Sequence, residues 1–278
     1  MYTAGIDIGS ISAKAVIMEG DRVLASRVIF TGYNAEAAGR KVFEMVLADT
    51  NLSAPDIRRI IATGYGRKNV SFADKAVTEI MCHAAGARYL NPEIRSVIDI
   101  GGQDSKAILL DETGRVVNFV MNDKCAAGTG RFLEVMARAL EVDLDEFGRL
   151  SLQAEAPSKI SSLCTVFAES EVISLIARGE KRENIIAGIH ESICVRVLAM
   201  ANRVGVRAPV AMTGGVARNI GVVRAFEKVI AAPVEVSQYA QVNGAIGAAL
   251  LAQNLDFTSS GVKNHTPSSP TGGQDDPA

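Results

Sequence analysis

The sequence predicts an α/β protein made of two duplicated halves. Residues 6–17 align without gaps on residues 98–109. Ile6-Asp7-Ile8-Gly9 matches Ile98-Asp99-Ile100-Gly101, and Lys14-Ala15 matches Lys106-Ala107. A weaker echo pairs Ile60-Ile61-Ala62-Thr63-Gly64 with Val210-Ala211-Met212-Thr213-Gly214, each a short apolar strand ending in Thr-Gly. Between these strands lie helical patterns, over 35–48 in the first half and 184–204 in the second. Gene duplication places the halves at 1–95 and 96–253.

Each copy reads as strand, glycine turn, strand, then a second turn into a third strand. The second turns are Glu19-Gly20-Asp21 and Asp111-Glu112-Thr113-Gly114. The second half is about 60 residues longer, and the excess falls at about 121–188. Within that insert, residues 131–140 are apolar at helical spacing, and 166–176 form a second helical run. Residues 241–249 are small and apolar, as in a closely packed helix. From 254 to 278 the chain turns to Thr, Ser, Gly, Pro and Asp, which predicts a disordered tail.

Composition narrows the function classes. The 278 residues carry 29 Lys+Arg and 31 Asp+Glu, a net charge of −2. That balance lacks the basic footprint of a nucleic-acid binder. No apolar run approaches the ~18 residues of a membrane span, and the N-terminus lacks the basic and apolar regions of a signal peptide. Cys82, Cys125, Cys164 and Cys194 include no CxxC pair. A chain of this length with such cysteines is expected to be cytoplasmic, with reduced thiols. His83, His190 and His265 show no metal-ligand spacing.

The repeated Asp-Ile-Gly has a chemical reading. A glycine-tipped turn lets backbone N–H groups approach a phosphate closely. An aspartate just before it is suited to hold Mg²⁺ directly or through water. Alone, either Asp also reads as a turn cap. Two register-matched copies, with Thr213-Gly214-Gly215, point instead to a clamp for a nucleotide's phosphates. Ser10, Ser12 and Lys14 suit that clamp.

On these residues the sequence resembles the acetate-kinase, sugar-kinase, actin and heat-shock-chaperone superfamily. The resemblance implies two ribonuclease-H-like halves around an ATP cleft. Residues 7–14 correspond to its first phosphate motif, 99–106 to its second, 212–217 to its adenosine motif, and 241–249 to its last connecting helix. The implied nucleotide positions are Ser10, Ile11, Ser12, Ala13, Lys14, Gly101, Gly102, Gln103, Gly214, Gly215 and Gln241. Asp7, Asp99, Gln103 and Asp104 are the candidate catalytic groups, with Asp7 as the candidate Mg²⁺ ligand.

The insert carries two of the cysteines. Cys125 lies in the polar, glycine-rich segment 122–130, just before the predicted helix at 131. Cys164 precedes the run 166–176, with Ser or Thr available as its N-cap. A helix N-terminus lowers a thiol pKa and favours an anion. Cys82 and Cys194 sit inside helical patterns, where cysteine is ordinarily a small core residue. Composition leaves Cys125 and Cys164 open as buried thiols, reactive thiols or metal ligands. A cluster needs about four thiolates, and a symmetric homodimer would supply them from two per chain.

Residues 122–134 and 161–173, with 99–106 and 212–216, closely resemble the activator ATPases of 2-hydroxyacyl-CoA dehydratases, within the BadF/BadG/BcrA/BcrD ATPase family. The resemblance spans roughly 4–252. It implies a homodimer with one interfacial [4Fe–4S] cluster held by Cys125 and Cys164 of each copy. It further implies one-electron transfer, driven by ATP hydrolysis, from ferredoxin or flavodoxin to an iron–sulfur dehydratase. Four alternatives stand beside it: an ATPase subunit of benzoyl-CoA reductase, a reductase of another double-cluster protein, a small-molecule kinase, and a structural or chaperone ATPase without redox chemistry. The unbroken 99–106 motif looks more like the homodimeric activator. The insert carries cysteines rather than an obvious sugar-binding segment.

Overall fold

The computed structural model describes residues 1–161 and 164–254, so the expected tail at 254–278 lies, from 255 on, outside the described residues, as do Ser162 and Leu163. The first sheet is built from β1 (Tyr2–Ile8), β2 (Ser12–Glu19), β3 (Arg22–Phe30), β4 (Ile57–Thr63) and β5 (Lys75–Ala76), in the order β3-β2-β1-β4-β5. The first three strands are antiparallel neighbours, while β4 runs parallel to β1. The second sheet repeats the plan with β6 (Ser96–Ile100), β7 (Ser105–Leu110), β8 (Val116–Asn122), β9 (Val210–Thr213) and β10 (Val234–Glu235), in the order β10-β9-β6-β7-β8. Strand order and direction match throughout, as two ribonuclease-H-like halves require. β1 and β6 are buried almost along their whole length, because each has a strand on both sides and helices over its faces.

Helix α1 (Ala35–Thr50) links β3 to β4. The Asn34 side chain caps it by accepting from Ala37 N, and it stops at Asn51, whose φ of 54° is left-handed. Its apolar face buries Val42, Phe43, Val46 and Leu47 against the first sheet. Helix α2 (Glu79–Leu90) follows β5.

The insert holds α3 (Gly130–Ala139), α4 (Leu144–Ser151), α5 (Thr165–Ala177) and the start of α6 (Arg182–Ala201). By length and composition α6 is apolar enough to cross a bilayer. Its Ile185, Ile186, Ile189, Ile193 and Val197 are buried in the second core, which accounts for that hydropathy. Helices α7 (Ile220–Ile230) and α8 (Asn243–Gln253) complete the chain.

The last helix of each half covers the other half's sheet. α2 places Ile80, Ala84 and Ala87 against Val97, Ile108 and Leu110 of the second sheet. α8 places Ala245, Ile246 and Ala249 against Val16 and Met18 of the first. The two helices cross where both are small: a Cβ on Gly247 would lie 1.7 Å from the Cys82 carbonyl oxygen. Any larger residue there would force the backbones apart. This crossing explains the run of small residues at 241–249, and it is where the two halves are joined most closely.

One buried titratable group sits away from the interface of the halves. His190 packs edge-on to Phe147, with ring centroids 5.4 Å apart. Burial pushes its pKa down to about 3 from 6.5. The folded state keeps the ring neutral while the unfolded chain takes a proton below pH 6.5. Stability is therefore present at neutral pH and lost as pH falls toward 3. Between pH 7 and pH 5, urea unfolding should show wild type losing about 2 kcal/mol more than a His190→Leu variant. Equal losses would contradict this account of His190.

Candidate functional site

The two Asp-Ile-Gly turns face each other across a cavity of about 670 Å³, a volume suited to a nucleotide. The geometry of one turn is repeated in the other. Gly9 N donates to Ser12 O at 3.0 Å, and Gly101 N donates to Asp104 O at 2.9 Å. Asp7 pairs in register with Lys14 on one side and Thr63 on the other, while Asp99 pairs with Lys106 and Thr213. The Thr-Gly echo also has a cause. Gly64 (φ +91°) and Gly214 (φ +88°) cross tightly over the carbonyls of Ile8 and Ile100, where a Cβ would lie 2.4 Å from either oxygen. The left-handed φ and the contact together admit only glycine. The turns also touch, because the Ile11 side chain lies against Gly102, 2.3 Å from where a Cβ would stand.

Charge is concentrated at the floor of the cavity. Lys14 Nζ is 3.2 Å from Asp7 Oδ2. Lys106, only 1% exposed, is 2.7 Å from Glu79 Oε2, 2.6 Å from Asp104 Oδ2 and 3.2 Å from Asp99 Oδ2. Thr213 Oγ1 donates to Asp99 Oδ1 at 2.8 Å and lies 3.1 Å from His83 Nδ1.

Burial opposes the charge on Asp99, yet His83, Lys106 and the Thr213 hydroxyl together hold its carboxyl well below the usual range. Burial likewise opposes the Lys106 ammonium, but Asp99, Glu79 and Asp104 outweigh it and raise its pKa. Glu79 moves the other way. Its desolvation, and then the nearby charge of Asp7, outweigh Lys106 and raise its pKa. Asp7, Glu79, Asp99 and Asp104 face two lysines, so these carboxylates are in excess. That excess, open to the cavity through Asp7, fits a divalent cation bound with phosphate oxygens.

Of the residues expected to meet a nucleotide, Ser10, Ile11, Ser12, Lys14, Gly101, Gly102, Gln103, Gly214, Gly215 and Gln241 line the cavity, as do Asp7, Asp99 and Asp104. Ala13 does not. It points into the first core, because the alternation along β2 turns it away from Ser12 and Lys14. Two lining residues, Glu79 and His83, have no functional place in the sequence reading. They stand four apart on α2, so one helix face carries both into the cavity. The spacing alone marks them as one helix face, and only the placement of α2 brings that face to the cavity.

The four cysteines divide in two. Cys82 and Cys194 are buried, and burial pushes the Cys82 thiol up to about 12 and raises that of Cys194 as well. Cys164 is exposed and is itself the N-cap of α5, ahead of the Ser or Thr the sequence offers. Cys125 corrects the expectation of a thiol at a helix start. The cap of α3 is Thr129, four residues on. The first two amides of that helix are engaged elsewhere, Gly130 N donating to Gly101 O at 2.9 Å and Arg131 N to Gly102 O at 2.8 Å. The cationic partner of Cys125 is instead Arg196, whose Nη2 donates to Sγ at 3.2 Å.

Among the described residues no three His, Cys, Asp or Glu side chains gather as a metal site. Two accessible thiols per chain fit a four-thiolate cluster only when two copies share it.

Comparison with known proteins gives a consistent set of relatives. A model described as the BadF/BadG/BcrA/BcrD ATPase family matches residues 4–252. The chain is 52% identical over 256 residues to the activator of lactoyl-CoA dehydratase of Anaerotignum propionicum, covering 91% of this chain and 97% of that one. The crystal structure of the Acidaminococcus fermentans (R)-2-hydroxyglutaryl-CoA dehydratase component A superposes with a TM-score of 0.89 at 45% identity, covering 91% and 98%. The activator of the 2-hydroxyisocaproyl-CoA dehydratase from Clostridium difficile, with bound ADPNP, superposes with a TM-score of 0.87 at 49% identity, covering 91% and 95%.

The two lysines differ in surroundings and should differ in effect. Lys14→Ala removes a cation that meets one carboxylate at the cavity wall, and should weaken ATP binding about 10–100-fold at near-constant stability. Lys106→Ala removes the one cation that meets buried Asp99 and the part-buried Glu79 and Asp104 together, and should cost about 3 kcal/mol in urea unfolding. Similar profiles for the two variants would contradict the assignment.

Proposed function

Since the chain belongs to the BadF/BadG/BcrA/BcrD ATPase family, we propose that it is an ATP-driven one-electron donor that activates a 2-hydroxyacyl-CoA dehydratase. The observation that carries the reading is the join between the two chemical centres. The segment bearing Cys125 runs directly into a helix whose first amides are bonded to the second phosphate turn. A nucleotide that moves Gly101 and Gly102 therefore pulls on the thiol segment. The names of the relatives, which are activators of such dehydratases, support the same reading.

The residues take these roles. Backbone amides of the two turns, with Ser10, Ser12, Lys14 and Gln103, receive the phosphates, while Gly214, Gly215 and Gln241 frame the adenosine. Asp7 holds Mg²⁺ together with phosphate oxygens. Asp99 keeps its carboxylate tied to Thr213, His83 and Lys106, and so braces the turn. Glu79, whose basicity burial raises, is the group best suited to accept a proton from an attacking water. Asp104 orients Lys106.

Cys125 and Cys164 of two copies would together hold a [4Fe–4S] cluster. Its chemistry, when bound, is the storage and release of one electron. Ferredoxin or flavodoxin is the donor class, and an iron–sulfur dehydratase the acceptor. The free thiols suit a reducing, cytoplasmic setting. ATP biases the angle between the halves only by as much as its affinity differs between open and closed states. The α2–α8 crossing is the element about which that angle changes.

Purified without oxygen, the protein should be a dimer with about four irons, and Cys125→Ser or Cys164→Ser should lose them while still binding ATP. An iron-free protein that transfers the γ-phosphoryl group to a small molecule would overturn the reading.

A further inference from the structure

Arg196 stands outside the nucleotide cavity and outside the cysteine motifs, yet it reaches the sulfur of Cys125. It projects from α6, whose neighbouring Ile193, Cys194 and Val197 are locked in the second core. Its stem lies along Gly128, where a Cβ would come within 3.3 Å of Arg196 Cδ. Its Nη2 then donates to Cys125 Sγ at 3.2 Å. The backbone of Cys125 is held separately. Asn122 accepts from Cys125 N at 3.2 Å and donates to Cys125 O at 2.8 Å. The segment thus fixes the peptide through Asn122 and the sulfur through Arg196. Nothing about core packing requires a half-buried guanidinium to meet a half-buried thiol.

We infer that Arg196 is a positioning residue for the shared cluster: its guanidinium donates to the Cys125 sulfur and raises the cluster's reduction potential. The inference rests on the proposed cluster ligation by Cys125 and Cys164. An N–H donor and a positive charge at a ligand sulfur stabilise the reduced state, which carries one more negative charge. In a symmetric dimer each copy brings one Arg196 to its own Cys125, so the effect acts twice on one cluster. Arginine suits the role because its planar guanidinium stays charged and presents several donors in a fixed fork.

The test compares anaerobically purified wild type with Arg196→Met and Arg196→Lys. Iron content, circular dichroism and ADP affinity serve as controls, and the midpoint potential is read by redox titration of the electron paramagnetic resonance signal. Arg196→Met should favour the oxidised cluster about tenfold, a downward shift of about 59 mV for one electron, at unchanged ADP affinity. Arg196→Lys, which keeps the charge without the fixed fork, should fall between. Should Arg196→Met fail to fold or to keep iron, the potential of the lysine variant decides: a lowered value supports the role, and an unchanged one overturns it. Cluster-loaded variants with the wild-type potential overturn the inference alone. Wild type that binds ADP but carries no iron removes the cluster reading beneath it, a separate outcome.

Discussion

The cleft depends on one arrangement made twice: an aspartate at the end of a buried strand, facing a lysine on the antiparallel neighbour and a threonine on the parallel one. Each aspartate sits where a Thr-Gly turn crosses over its strand, so carboxylate, turn and cavity are fixed together. The copies have diverged in burial. Lys106 is sealed among three carboxylates, whereas Lys14 meets one at the cavity wall. In the proposed function one copy braces its turn and the other meets the nucleotide. A duplicated fold has given its two turns different tasks without changing their backbone.

Coupling follows from how the halves are joined. α2 and α8 each lie on the other half's sheet and cross at glycine, so neither sheet moves without its partner's helix. α2 also carries Glu79 and His83 into the cavity, so the connecting helix forms part of its wall. From the second turn, two backbone hydrogen bonds lead into α3 and the Cys125 segment. Cys164 opens a separate helix, α5, which also packs on α3. A change at the phosphates therefore has a short covalent and hydrogen-bonded route to one thiol, and a packed route to the other.

Much of this is legible in the sequence, for physical reasons. Asp-Ile-Gly and Thr-Gly survive as strings because their contacts are backbone contacts that admit few residues, and the strands around them are mostly apolar because they are buried on both faces. What is not legible depends on side chains meeting across the fold. Glu79 and His83 read as an ordinary helix face until α2 is placed over the cavity. Arg196 is one of many charged residues until α6 is laid beside Cys125. Ala13 sits inside a phosphate motif by position but faces the core by strand alternation. The start of α3 is legible to within one residue, but the separation of Cys125 from it is not: the turns of 122–130 and the bonds to Gly101 and Gly102 put the cap at Thr129, four residues past the thiol.

The central claim is that the nucleotide cleft and the thiol segment move as one unit. Hydrogen exchange of the anaerobic protein, with ADP and with a non-hydrolysable ATP analogue, tests it most directly. The account predicts that residues 123–131 change protection between the two nucleotides, while α1 at the far side of the first sheet does not. A change confined to the phosphate and adenosine turns, with residues 123–131 identical in both states, would contradict it.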